Sequence, residues 1–259
     1  MSDPAAPNAP ATLAQRRIAG RLGWSGPVLI LFARSVFAVA AQGLVAAGLA
    51  ARGSAAPWRE AEAWLPVYGT LIDLGCLLLL ARLTRREGIR LRDLLGFARG
   101  RLGRDLLLAL ALVPPSLVFI VAGNAGASLL VFGRPEAAML FSPLPLWAAL
   151  YAVLVFPFIW GLVEQTTYNG YAVPRLTTLF GRTAPAVALV AFFWSVQHAF
   201  MPLTFDPQFM LYRALSPIPH SLFVILVWLR LRRILPLALA HGLMDGGAAF
   251  AGTLLPLLG

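Results

Sequence analysis

The 259-residue chain has no lysine, one cysteine, three histidines and 11 acidic residues. Each scarcity excludes something. Charged residues make up 12% of the chain, against about 25% in an ordinary soluble domain, so there is too little charge to cover a globular surface. The single cysteine, Cys76, excludes an intramolecular disulfide. It lies inside an apolar run and reads as a small buried side chain. No internal repeat marks the paired halves of a transporter.

What the chain has instead is apolar length. It is 59% hydrophobic, with a mean hydropathy of +0.77. Several apolar runs approach 20 residues, the length of a membrane-spanning helix. The expectation is an all-α polytopic transmembrane bundle of about 7–8 spans: residues 27–51, 65–83, 105–122, a fourth from Leu146 into the stretch around Glu164, then 183–201, 215–229 and 234–257. An eighth is allowed if a run through Leu140 forms a span of its own. Pro114-Pro115 is expected to kink the third span, and residues 127–132 read as an outer loop or re-entrant turn.

The net charge is +10, carried by 21 arginines. Such a charge suggests nucleic acid, but these arginines sit between apolar runs, as in positive-inside loops. Eight fall at 82, 85, 86, 90, 92, 99, 101 and 104. The partner implied is the lipid bilayer and not nucleic acid. Arg16, Arg17 and Arg21 precede the first run, which favours a cytoplasmic N-terminus and a multi-pass protein of the cell (inner) membrane. Residues 1–20 read as a disordered cytoplasmic tail rich in Ala and Pro, and 21–259 as one transmembrane domain.

Against this apolar background the ionisable positions stand out. A carboxylate at membrane depth costs at least ~2.5 kcal/mol by insertion scales, and Glu164 directly follows an apolar run. His198 and His241 each lie in a later apolar run. Groups of this kind face a bundle interior, pair or act, so the three stretches are expected to converge on one buried site. Positions i and i+4 share a helix face, which groups Glu164 with Tyr168, Trp194 with His198, and His241 with Asp245. Small residues around the last pair let helices approach closely. Arg34 is close enough to its span's end to snorkel, and Asp73 is expected to pair with it or with another interior donor. His220, near prolines at a membrane edge, reads as structural.

Three stretches, E164-Q-T-T-Y-N169, W194-S-V-Q-H198 and H241-G-L-M-D245, resemble in order and spacing the E-E-x-x-x-R, F-x-x-x-H and H-x-x-x-N/D motifs of the CAAX-protease and bacteriocin-processing family. The likeness extends over roughly residues 90–250. It implies an intramembrane glutamic endopeptidase acting on a membrane-associated, possibly prenylated, protein or peptide. By motif, Glu164 is the general base that positions a water with His198, while His241 and Asp245 stabilise the oxyanion. Gln165, Tyr168, Asn169 and Trp194 are supporting or substrate-binding positions. Gln165, Asn169 and Trp194 depart from the motif's Glu, Arg and Phe, which keeps open a weak or inactive member acting as a membrane scaffold or immunity factor. No cofactor is implied. Zinc is the alternative, since two histidines with Glu164 and Asp245 form a donor set, although H-E-x-x-H is absent.

Overall fold

The computed structural model describes residues 6–97, 99–135 and 141–258, and among them there are helices and turns but no strand. Six segments are long and apolar enough to cross a membrane: Ser25–Ala51, Leu65–Arg86, Leu102–Phe132, Leu146–Phe180, Thr183–Phe200 and Pro207–Leu231. The polytopic helical bundle is as expected, with the segments grouped differently from the seven predicted spans.

The chain begins with α1 (Pro10–Ile18), where a disordered tail was expected. Its ordering has a local cause. Ala9 and Leu13 are buried, Asn8 Nδ2 donates to the Gly170 carbonyl at 2.9 Å, and Arg17 donates to the Thr178 carbonyl at 2.9 Å. Burial of the Arg16 side chain lowers its pKa from the usual arginine range, and Glu87, 3.5 Å away, opposes that shift. Next come α2 (Ser25–Ala51), the short α3 (Pro57–Glu62) and α4 (Leu65–Arg86), with α2 and α4 packed along each other.

Helix α5 (Leu102–Phe132) runs unbroken through Pro114 and Pro115 and ends at Gly133 in a left-handed conformation. Residues 127–132 are its last turns and not a separate outer loop or re-entrant piece. Apolar residues on both sides of the prolines keep the helical pattern going, and membrane helices tolerate the freed carbonyls. The suggested run through Leu140 falls on residues outside those described.

The fourth crossing is built from α6 (Leu146–Leu154), α7 (Phe156–Gln165), a π turn (Thr166–Ala172) and α8 (Val173–Phe180). Then follow α9 (Thr183–Val196), which ends in a 3₁₀ turn at Gln197–Phe200, α10 (Pro207–Leu215) and α11 (Ile218–Leu231). The stretch between the expected spans 183–201 and 215–229 thus holds a helix of its own. Asp206 caps α10, its Oδ1 accepting from the Gln208 and Phe209 amides, and Pro207 occupies the first turn. Helix α12 (Leu235–Ala249) is 15 residues long and continues into a π turn at Phe250–Leu254. It is shorter than the ~20 residues of a full crossing and stands apart from the six spanning segments. Its chief neighbours are α7 and α5.

Candidate active site

Glu164 sits in the last turn of α7, immediately before Gln165 and the π turn, and is fully buried. What brings it to α12 is close backbone approach. A Cβ at Gly161 would lie 2.7 Å from the Ala238 carbonyl oxygen, and a Cβ at Gly242 would lie 2.6 Å from the Phe158 ring. Glycine is required at both positions because nothing larger fits between the two helices. At that spacing His241 Nε2 reaches 3.3 Å from Glu164 Oε2 and 3.3 Å from Asp245 Oδ2.

The supporting residues set the proton on that ring. Asn169 Nδ2 donates to Gln165 Oε1 at 2.7 Å, one helical turn away. With its oxygen engaged, Gln165 turns its amide nitrogen to His241 Nδ1 at 3.5 Å. Nδ1 therefore accepts, and in the neutral ring Nε2 carries the hydrogen and faces both carboxylates. Gln165 and Asn169 stand where the resembled motif has a glutamate and an arginine. Both charges are gone and a neutral amide pair remains, so neither side is left with an orphaned charge.

The sequence reading missed one residue at the site and misplaced another. Gln197, fully buried, donates to Glu164 Oε1 and accepts from the Tyr168 hydroxyl at 2.9 Å. Tyr168 in turn stacks on Trp194 with ring centroids 4.9 Å apart. The available signal was adjacency to His198 in an otherwise apolar helix. The second is Arg34, which is fully buried and does not snorkel. It bonds Asp73 Oδ1 at 2.8 Å, as expected, but its Nε also lies 3.6 Å from Glu164 Oε1, and its guanidinium covers the Trp160 ring at 4.1 Å. Two carboxylates and an aromatic face hold the cation in the interior, where a position near a helix end alone pointed to the interface.

Beside this cluster lies a cavity of about 350 Å³ lined by His198, His220, His241, Asp245, Trp160 and Arg213, among others. His198 Nδ1 donates to the Trp194 carbonyl at 2.9 Å, which leaves Nε2 as the ring's lone-pair nitrogen. His220 was read as structural, yet its ring is 6.2 Å from that of His241 and borders the same space. Glu164 stands behind His241, without exposed surface. All the sequence-predicted positions therefore fall in or against one region. Among the described residues no group of three or more His, Cys, Asp and Glu side chains is arranged to hold a metal ion.

Residues 145–247 match the family model described as Rce1-like, type II CAAX prenyl endopeptidase. The match opens just before α6, closes within α12, and contains Glu164, His198, His241 and Asp245. This segment, less than half of the chain, is similar to the CAAX prenyl endopeptidase family. No curated protein and no solved structure matches the chain. The match supports a CAAX-type protease, a peptide hydrolase in general terms, and the six apolar helices fit a multi-pass membrane protein with a membrane-associated substrate.

Proposed function

We propose that the protein is an intramembrane glutamic endopeptidase that hydrolyses a peptide bond in a membrane-associated protein or peptide. Glu164 is the general base. Its Oε2 has no hydrogen bond and is approached only by His241, so it is the oxygen left to take a proton from water. His198, with a bare Nε2 at the cavity, orders that water. His241, with Nε2–H held between two carboxylates, is a ready donor to a developing oxyanion. Asp245 accepts from His241 and orients it, rather than donating itself. The observation that carries the reading is the Glu164–His241–Asp245 chain abutting a cavity.

A second reading, an inactive member serving as scaffold or immunity factor, draws support from the complete burial of Glu164. In the enzymatic reading His241 shifts on substrate entry and admits water to Oε2. Glu164→Gln, reconstituted in lipid with the membrane proteome of the host as substrate, separates the two. A loss of at least about 100-fold in cleavage, with unchanged folding, is expected for the enzyme. A wild-type protein and variant with the same proteome point to the scaffold.

A further inference from the structure

We propose that Arg34, on α2 and outside the matched segment, is a positioning residue for Glu164. The inference rests on the reading of Glu164 as the base. The two oxygens of the Glu164 carboxylate are treated differently. Oε1 accepts from Gln197 and lies 3.6 Å from Arg34 Nε, while Oε2 is left for chemistry. A carboxylate held by one oxygen keeps the lone pairs of the other aimed in a fixed direction.

Arg34 can do this because it is itself immobilised from two other elements. Asp73 on α4 holds one end of the guanidinium at 2.8 Å, and Trp160 on α7 covers its face at 4.1 Å. The fork is then shared between two buried carboxylates. Nε points at Glu164 within ion-pair distance, and neither Nε nor Nη2 has a hydrogen-bond partner. An arginine serving only to tie α2 to α4 would need Asp73 alone. Here the same group also faces the base, and in an interior of low dielectric that charge acts strongly at short range. The α2–α4 pair thus contributes to the site a cation that α7, α9 and α12 lack.

The test uses variants that keep the bundle's charge balance. Arg34→Gln with Asp73→Asn removes one positive and one negative group together, so the net charge of the interior is unchanged while Glu164 loses its cation. The full-length double variant is expected to fold, and to cleave with kcat lowered about 100-fold and KM unchanged. In the Asp73→Asn background Arg34→Lys, which keeps the charge and loses the fork, is expected to recover part of that rate. A double variant that folds and retains the wild-type kcat, or that loses only KM, overturns the proposal.

A second measurement stands apart from activity. In an Asp73→Asn background, thermal unfolding of Arg34→Gln, Glu164→Gln and their combination forms a cycle. Direct contact between the two groups makes the effects non-additive, whereas additive losses overturn the proposal even if wild type cleaves no substrate. Non-additive losses in a wild-type protein that cleaves nothing would retire the protease reading and leave the Arg34–Glu164 link in place.

Discussion

Two stretches of this chain are nearly equally apolar and have opposite fates. Helix α5 has a mean hydropathy of 2.4 over its most apolar window, of which 17% is buried, while Leu146–Phe180 reaches 2.1 with 44% buried. Along α5 the large side chains point outward: Leu107, Val118, Val121 and Leu130 are each more than 60% exposed. Its small and polar residues, Asp105, Ser116, Gly123 and Ser128, are the ones inside. In the second stretch every residue from 163 to 176 is buried, including Glu164, Gln165, Asn169 and Arg175. In lipid, apolar surface gains nothing by leaving the solvent, so hydropathy identifies helices but not the core. Packing and polar pairing identify the core.

Substitutions that act on one region and spare the other sharpen the contrast. Beyond the loss of turnover with Glu164→Gln, the largest stability effect is expected at Arg175. Its Nε and Nη2 hold both oxygens of Glu87 at 2.7 Å, with the pair almost wholly buried. Arg175→Gln leaves the buried Glu87 carboxylate with Arg16 alone, 3.5 Å away, and should cost up to about 3–5 kcal/mol, measured as unfolding in detergent. The exposed Arg90–Asp93 pair, 3.9 Å apart, supplies the control. Arg90→Gln should change stability by less than about 1 kcal/mol.

Gly161→Ala comes next. The added methyl meets the Ala238 carbonyl, and overpacking of this kind costs about 1–3 kcal/mol. Because the shift separates α7 from α12, cleavage should fall further than stability. Smallest is Gly126→Ala on α5, where a Cβ meets nothing within 4 Å. That change should be neutral or stabilise by up to about 1 kcal/mol. A comparable loss at both glycines would break the comparison, since it would mean that α5 is packed as tightly as the catalytic stretch.

The site residues were readable from the sequence for a physical reason. An ionisable group on an apolar helix has few places to go, so Glu164, His198, His241 and Asp245 announced a shared interior without any coordinates. The i,i+4 rule likewise anticipated His241 with Asp245, and Glu164 with Tyr168, the latter pair bridged by Gln197. Gln197 went unread, and His220 was read as structural, because an uncharged amide, or a histidine beside prolines, carries no comparable penalty at a helix end. Residues 127–132 were misjudged because the short apolar piece was weighed alone as too short to span, whereas it continues α5.

Composition and arginine placement were therefore enough to indicate a helical membrane protein, and the scattered ionisable positions were enough to mark one shared polar interior. Only the packed chain decided that Arg34 turns inward to Glu164, that α1 docks against α8, and that Gly161 and Gly242 bring the acid and the imidazole within reach. These outcomes depend on distances between segments more than 70 residues apart, such as the Gln165–His241 contact. Local periodicity sets which face a side chain occupies, but not which helix meets that face.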